Sequence, residues 1–350
     1  MRILAIETSC DETAICVLSD KGGDLLLEKN AVYSQIDIHK KFGGVVPEVA
    51  ARKHLQTMMP LIDSTLGKDK ISDIDYIAVT SGPGLITSLI LGMTTAKALA
   101  YAHNLPLLPV NHIEGHIYSS WLSNKIEAKH FPALVLVVSG GHTEIILMKG
   151  HGDYQLIGQT VDDAVGEAYD KVAKLMELGY PGGPIVSQLA EQGKSDTYKL
   201  PRPMIDNKDY GFSFSGLKTA VLYSLEKQKS IDKKDVVNMC ASFQQAVIDV
   251  LVKKASKAAQ EFEVKSIMLS GGVSANTALK KALDKEAKKM NLPFFYPELK
   301  FTGDNAAMIA AAAYYKIKNK QAELLKGKDI FSLEPQANWQ LVKKYLPRVD

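Results

Sequence analysis

The feature that most constrains this chain is a strand–turn–strand pattern that occurs twice. Residues 2–18 place apolar runs on both sides of a polar turn, Thr8-Ser9-Cys10-Asp11-Glu12-Thr13, and residues 133–148 do the same around Ser139-Gly140-Gly141-His142-Thr143-Glu144. Two further turns, at 81–84 and 270–274, each follow an apolar strand and open an apolar helix pattern. The repetition predicts two similar lobes that face each other across a cleft.

The turns themselves indicate what kind of ligand the lobes hold. They consist mainly of Ser and Gly residues at strand ends, where backbone N–H groups can approach phosphate oxygens closely. We therefore expect a nucleotide-type ligand between the lobes.

Length and composition agree with a soluble two-lobed protein. The chain has 350 residues, more than one hydrophobic core usually serves. Its net charge of +3 permits nucleic acid as a partner without arguing for it. Three cysteines without CxxC spacing fit a reducing cytosol. Polar residues interrupt the apolar stretch 85–102, so we expect a buried helix there, no membrane association and a cytoplasmic location.

Strand and helix patterns alternate along the chain, which predicts an α/β fold. The N-terminal lobe is expected at 1–121 and the C-terminal lobe at 122–325, with a helical insertion at about 161–262. The tail at 326–350 carries apolar anchors and is expected to pack back on the body. The segment 194–213 has the weakest apolar pattern and is a loop candidate.

The sequence His112-Ile113-Glu114-Gly115-His116 suggests a metal site. On a helix, residues four apart share a face, so both imidazoles can reach one ion. Asp304, in a turn before a helix pattern, is the candidate third ligand. Two alternatives stay open at this point: the histidines could simply cap or pack a helix start, and Asp304 could be the N-cap of the helix that follows it. Glu114 lies on the opposite face, which disfavours a zinc protease.

Together these motifs resemble the TsaD family, also called Gcp or YgjD, and they point to its bacterial or organellar branch. The resemblance covers nearly the whole chain and extends over the motifs 6–13, 43–48, 81–85, 111–116, 138–143, 162–171, 180–184, 212–218, 270–276 and 304–308. It implies the duplicated actin/hexokinase/Hsp70-like fold. Ser187 departs from the acidic residue of some relatives, which puts one ribose contact in doubt.

The resemblance also implies an activity and its ligands. Family members transfer a threonylcarbamoyl group from threonylcarbamoyl-adenylate to N6 of the adenosine 3′ of the anticodon in tRNAs that read ANN codons, releasing AMP. One divalent metal per subunit is implied at His112, His116 and Asp304; Fe²⁺ is favoured, with Zn²⁺ or Mg²⁺ as alternatives. The adenylate is implied to bind Val138, Ser139, Gly140, Gly141, His142, Asp170, Gly183 and Asn276. Implied partners are tRNA, a TsaB-like paralogue and a TsaE-like ATPase.

The acceptor amine is a poor nucleophile because its lone pair is delocalised into the adenine ring. We expect Asp11 or Glu12 to orient or deprotonate it, the alternative being that they only shape the turn or the metal surroundings. His39, Arg52 and His54 are candidates for tRNA contact or for shaping the acceptor side. Lys218 with Phe212 and Phe214 is a candidate strand-tip contact to nucleic acid, with a solvated loop as its alternative.

Other functions of the same fold stay open from the sequence. A sugar or acetate kinase would use Asp11 as the base for phosphoryl transfer, but it would have no use for the two histidines and Asp304. A shortened paralogue could serve only as a scaffold, which the retained second lobe opposes. A glycoprotease interpretation depends on the histidine pair alone.

Overall fold

The computed structural model describes residues 1–227 and 232–342, which form two compact units. The first comprises residues 1–125 and 297–342, and the second comprises 126–296. The expected C-terminal lobe, 122–325, differs at its end, because residues 297–325 cluster with the first unit. Elements are numbered in chain order below.

The first unit is built on a five-stranded sheet in the order β3-β2-β1-β4-β5. Strands β1 to β3 are antiparallel neighbours, whereas β4 and β5 run parallel to β1. β1 is apolar from Ile3 to Ile6 because helices cover both faces of the sheet. The elements are β1 (Arg2–Glu7), β2 (Glu12–Lys21), β3 (Asp24–Ser34), α1 (Ile36–His39), α2 (Pro47–Leu66), β4 (Tyr76–Gly82), α3 (Ile86–Ala102), β5 (Leu107–Asn111) and α4 (His112–Tyr118).

The second unit repeats this topology. Its sheet order read from the far edge, β8-β7-β6-β9-β10, corresponds strand by strand to that of the first unit, with the same parallel and antiparallel pairs. The predicted duplication is therefore confirmed. The elements are β6 (Ala133–Val138), β7 (Thr143–Gly150), β8 (Asp153–Gln159), α5 (Val165–Leu175), α6 (Gly182–Ala190), α7 (Ser215–Glu226), α8 (Lys233–Glu261), β9 (Ser266–Ser270), α9 (Thr277–Lys289) and β10 (Phe294–Phe295).

Helices α5 to α8 fill the predicted insertion, and residues 191–214 between α6 and α7 contain neither a helix nor a strand. Within the described part of the chain, α8 alone is long and apolar enough to cross a membrane. However, 67% of its apolar window is buried in the structure, as in the core helix of a soluble protein. Its residues, such as Phe243, Val247 and Leu251, belong to the core of the second unit.

Helix α10 (Ala306–Lys318) returns the chain to the first unit. It packs on β1, β2 and α4, and Ala310 to Ala313 are fully buried. Small side chains let a helix approach a sheet closely, so this alanine run allows α10 to pack against the sheet of the first unit. The short 3₁₀ helices are Lys40–Phe42, Ile71–Asp73, Ser119–Leu122, Ala128–His130, Gly272–Ala275, Leu299–Phe301 and Gly327–Ser332.

Residues 333–340, which we call the C-terminal strap, cover the turn that follows β4. The N–H of Gln336 donates to the Ser81 carbonyl at 2.8 Å, and the N–H of Gly84 donates to the Ala337 carbonyl at 3.1 Å. The Asn111 side chain donates to the Trp339 carbonyl at 3.1 Å. The strap thus connects the ends of β4 and β5. The remainder of the expected tail, 343–350, lies outside the described residues.

Replacing Gly82 by Ala should destabilise the first unit by about 2 kcal/mol or more. Gly82 has φ of 148°, and an added Cβ would lie 1.9 Å from the Gln336 carbonyl oxygen. Urea unfolding measures the loss. Gly216→Ala is the matched control, because a Cβ added at Gly216 would have no heavy atom within 4 Å and alanine favours the helix. Equal stability of the two variants would contradict the close contact of the strap.

Glu144 on β7 should make the stability of the second unit depend on pH. Burial raises the pKa of its carboxyl from the usual 4.5 to about 7. The folded state therefore binds the proton more tightly than the unfolded state, and stability falls as pH rises from about 4.5 to about 7. The loss should amount to about 1–3 kcal/mol.

Urea unfolding of the wild type at pH 5 and pH 8 measures this loss, and Glu144→Gln should reduce it. Glu191→Gln, which changes an exposed carboxylate of the same unit, should leave the loss unchanged. If stability changed between these two pH values by the same amount in the wild type and in both variants, the role of Glu144 would be refuted.

Candidate functional site

The two histidines lie on α4, which begins where β5 ends. Asn111 caps this helix: its side-chain oxygen accepts from the N–H groups of Ile113 at 2.9 Å and Glu114 at 3.3 Å. The histidines are therefore not capping residues, and the capping part of that alternative is wrong. The predicted opposite orientation of Glu114 is confirmed, since its carboxylate accepts from Lys316 of α10 at 3.0 Å. This buried ion pair joins α4 to α10 on the side of α4 away from the histidines.

His112, His116 and Asp304 come together as the sequence predicted. One ligand atom of each lies within 4.8 Å of the others. The Nε2 atoms of His112 and His116 lie 3.5 and 3.2 Å from Oδ1 of Asp304, and both imidazoles are buried. Two imidazoles and one carboxylate are a ligand set that first-row divalent metals accept.

Two details of this cluster fit a bound cation. Neither ring nitrogen of His116 has a hydrogen-bond partner among the described residues, and Nε2 approaches Asp304 without hydrogen-bond alignment. The N-cap of α10 is Asn305, whose side chain accepts from the N–H of Met308 at 3.0 Å. The alternative role of Asp304 as that cap is therefore wrong, and its carboxylate faces the histidine pair instead.

The electrostatics of His112 reflect the negative charge around it. Burial lowers the pKa of its imidazole, but the carboxylates of Asp304 and Glu7 outweigh this effect and raise the pKa to about 9. Without a metal, a proton on His112 therefore compensates the two buried carboxylates near neutral pH. Glu7 was not among the residues singled out from the sequence; its position at the polar end of a buried strand, next to the turn, was the available indication.

Asp11 lies in the turn between β1 and β2, and Glu12 follows it as the first residue of β2. Burial raises the pKa of the Glu12 carboxyl well above its usual value, and the negative charges of Asp304 and Asp11 add to this effect. Burial, with the neighbouring carboxylates, also raises the pKa of Cys10, so its thiol is not an activated nucleophile. Glu12 is thus electrostatically linked to the candidate ligand Asp304.

His54 contacts this turn and the strand that follows it. Its Nδ1 lies 2.8 Å from Oγ1 of Thr13, and its Nε2 lies 3.0 Å from the Cys10 carbonyl oxygen. His54 and His39 are fully buried, so the hypothesis that they touch tRNA directly is wrong in this structure. Arg52 is exposed and pairs with Glu48 at 2.6 Å.

The predicted strand-tip contact to nucleic acid is wrong as well. Lys218 lies in the first turns of α7, and Phe212 and Phe214 are fully buried with their rings stacked at 6.1 Å. The two phenylalanines belong to the core of the second unit, which explains their apolar character.

The predicted adenylate residues all lie in the second unit, beginning with the turn between β6 and β7. The N–H of Ser139 donates to the His142 carbonyl at 2.8 Å, and the N–H of His142 donates to Ser139 Oγ at 3.1 Å. Gly140 and Gly141 are exposed, and a Cβ added at either would have no heavy atom within 4 Å. Val138 is buried in the core, so only its backbone can meet a ligand.

The other adenylate candidates are connected to this turn through α5 and α6. The N–H of Gly166 donates to the Ser139 carbonyl at 3.1 Å, and Asp170, one turn further along α5, accepts from the N–H of Gly182 at 2.7 Å. Gly183 follows at the start of α6 with open space beside it. The turn, Asp170 and Gly183 thus belong to one hydrogen-bonded assembly.

Asn276, the last of the adenylate candidates, has a side chain that is hydrogen-bonded within the second unit. Its side-chain oxygen caps α9 by accepting from the N–H of Leu279 at 2.9 Å, and its Nδ2 donates to Ser187 Oγ at 2.9 Å and to Gln244 Oε1 at 2.7 Å. Asn276 therefore joins α9 to α6 and α8. An Asn directly before a helix pattern is a sequence signal for a helix cap. The sequence gives no signal for the hydrogen bonds of Asn276 to Ser187 and Gln244.

Comparison with known structures supports the fold. The T. kodakarensis protein HypF superimposes with a TM-score of 0.60 over 94% of this chain and 49% of its own, at 16% identity. A full-length HypF in a phosphate- and nucleotide-bound form gives 0.59 over 92% and 47%, at 13% identity. At this identity the similarity concerns the fold alone, a duplicated actin/hexokinase/Hsp70-like α/β architecture.

Comparison with known sequences identifies the family. The family model "TsaD: tRNA N6-adenosine threonylcarbamoyltransferase" matches residues 27–311. Proteins of that name from Thermosipho africanus and Bacillus subtilis are 50% and 51% identical; the alignments cover 90% and 89% of this chain and 94% and 89% of theirs. The chain belongs to the TsaD family, and as a tRNA N6-adenosine threonylcarbamoyltransferase it forms the threonylcarbamoyl modification on adenosine N6 in tRNA.

Proposed function

We propose that this chain takes the threonylcarbamoyl group from threonylcarbamoyl-adenylate and transfers it to the adenosine 3′ of the anticodon in tRNAs that read ANN codons, releasing AMP. The observation that carries the proposal is the convergence of three distant residues, His112, His116 and Asp304, to within 4.8 Å in a member of this family. The reaction takes place in the cytoplasm, without membrane association.

His112, His116 and Asp304 hold one divalent metal per subunit. Fe²⁺ is our favoured ion, because two imidazoles and a carboxylate form a common non-haem iron site; Zn²⁺ and Mg²⁺ are the alternatives that metal analysis would distinguish. When bound, such an ion supplies Lewis-acid stabilisation of negative charge on substrate oxygens. It also neutralises the two carboxylates that otherwise retain a proton on His112.

The second unit binds the adenylate. Backbone N–H groups of the turn Ser139–His142 are suited to phosphate oxygens, because Gly140 and Gly141 leave the backbone accessible. Asp170, near the middle of α5 and hydrogen-bonded to Gly182 at the start of α6, and Gly183, in the first turn of α6, contact the ribose and base. Val138 contributes its backbone, and Asn276 contributes by holding α6 and α9 in place.

Glu12 is the better of the two candidates for the proton acceptor at adenine N6. A carboxylate with a raised pKa removes a proton more readily than one with an ordinary value, since its conjugate acid is closer in strength to the donor. A cation at Asp304 would offset part of that increase. Asp11, in the same turn, orients the amine.

The transferase acts with a TsaB-like paralogue and a TsaE-like ATPase. Helices α2 and α3 pack side by side on the first unit and expose Leu55, Met59, Ile86 and Ile90, whose exposed fractions are 70, 49, 44 and 45%. Leu55 and Met59, like Ile86 and Ile90, are four residues apart and share a helix face. We assign this exposed apolar face to the TsaB-like partner.

The metal-ligand variants should lose transfer. His112→Ala, His116→Ala and Asp304→Ala should each lower the rate at least about 100-fold, because each removes one of only three protein ligands. The assay combines tRNA transcript, threonylcarbamoyl-adenylate and the chain with its partners, and detects modified nucleoside by mass. His103→Ala, an exposed histidine after α3, is the control. Full transfer by His112→Ala would exclude the metal role.

A charged substitution on the exposed apolar face should prevent partner binding. Leu55→Asp should weaken the complex with the TsaB-like paralogue by about 100-fold or more, because an unpaired carboxylate would enter an apolar interface. Analytical ultracentrifugation measures the association. Leu299→Asp is the matched control, since Leu299 is 71% exposed elsewhere on the first unit. If Leu299→Asp weakened the complex and Leu55→Asp did not, the interface with the TsaB-like paralogue would lie elsewhere.

A further inference from the structure

We propose that Glu7 is a positioning residue of the metal centre: its carboxylate holds His112 in the tautomer that carries a proton on Nδ1 and directs the Nε2 lone pair at the ion. This inference rests on the metal site of the proposed function. It concerns a residue that contacts neither substrate nor metal and acts only through His112.

The carboxylate of Glu7 is fixed within the first unit. Glu7 ends β1, is fully buried, and accepts from the N–H of Ser9 in the following turn and from the hydroxyl of Thr80 on the neighbouring strand β4. Its Oε2 lies 3.3 Å from Nδ1 of His112. An ionised carboxylate can only accept hydrogen bonds, so a stable arrangement requires a donor on each side of it, including Nδ1–H of His112.

Ser9 makes a second polar contact with this nitrogen, with Oγ 3.1 Å from Nδ1. A hydroxyl could donate to an unprotonated Nδ1, but the Nδ1 lone pair would then also face the Glu7 carboxylate oxygen, which is repulsive. With the proton on Nδ1, both the carboxylate and the Ser9 oxygen can accept from it. The surroundings of Nδ1 therefore favour the protonated form of this nitrogen.

The consequence appears on the other side of the ring. In the neutral imidazole, a proton on Nδ1 leaves a lone pair on Nε2, and that atom faces Oδ1 of Asp304 at 3.5 Å. Two electron-rich atoms in this orientation repel each other unless a cation lies between them. Glu7 thus keeps a proton on Nδ1 when Nε2 gives up its own proton to the incoming ion, and the charge on Glu7 increases the basicity of Nε2.

The two histidines are unequal in this respect. His116 Nδ1 is buried and has no hydrogen-bond partner in the described part of the chain. Of the two, His112 is therefore the one with a carboxylate behind it, and we expect it to provide the stronger and better oriented metal–nitrogen bond. Loss of Glu7 should then weaken metal binding without removing any ligand.

Co²⁺ is the probe for this role, because its visible spectrum reports ligand geometry. Glu7→Gln retains an acceptor oxygen and should weaken Co²⁺ binding about 10-fold, and Glu7→Ala should weaken it up to about 100-fold. Affinity is measured by competition with a chromophoric chelator, and the Co²⁺ absorption bands of Glu7→Ala should shift. Urea unfolding without metal verifies that each variant is folded.

Glu114→Gln is the matched control. Glu114 lies on α4 between the two histidines and is also buried, but it pairs with Lys316 on the opposite face. This variant should lose stability and retain the wild-type Co²⁺ affinity and spectrum. The comparison therefore separates an effect on His112 from the general cost of losing a buried carboxylate.

Each outcome decides a different question. Unchanged Co²⁺ affinity in Glu7→Ala, or an equal loss in Glu114→Gln, would overturn the positioning role and leave the metal site standing. Absence of Co²⁺ binding by the wild type, or undiminished binding by His112→Ala, would overturn the metal site of the proposed function and the role of Glu7 with it.

Discussion

The candidate centre depends on one constraint: the negative charges buried at the end of β1 and the start of α10 must be compensated. Glu7 and Asp304 lie against His112, and burying such carboxylates is costly unless donors or a cation oppose them. The donors Thr80 and Ser9 provide part of this opposition, and the raised pKa of His112 lets a proton on its imidazole provide the rest near neutral pH. A divalent ion would provide it more fully, because it can also bind His116.

The same polar cluster depends on rigid supports on all sides. Asn111 starts α4 at the end of β5, the pair Glu114–Lys316 joins α4 to α10, and Asn305 starts α10 directly after Asp304. Each histidine is therefore positioned by a helix whose start is fixed by an Asn cap, not by a flexible loop. Rigid support of this kind is what keeps separate ligands at a common distance from one ion.

The second unit repeats the sheet topology with a different turn. Its β6–β7 turn corresponds to the β1–β2 turn of the first unit, but the exposed Gly140 and Gly141 follow β6, whereas Asp11 and Glu12 lead into β2. One turn therefore exposes backbone N–H groups, and the other presents carboxylates. This difference supports our proposal that the second unit binds the anion and the first unit holds the metal and the proton acceptor.

The amino-acid sequence alone determined the duplicated α/β architecture and the identity of His112, His116 and Asp304 as candidates. It could do so because alternation, turn residues and four-residue spacing are local properties. It misjudged Phe212 and Phe214, since a short aromatic run before a helix has the same pattern whether it is buried or exposed.

Only the tertiary structure decided between Asp304 and Asn305 as the helix cap, assigned residues 297–325 to the first unit, and revealed Glu7 behind His112. The last two of these outcomes depend on contacts between residues about a hundred or more positions apart. Such contacts are set by which side chains can be buried together with their charges compensated, and no local pattern in the chain encodes that condition.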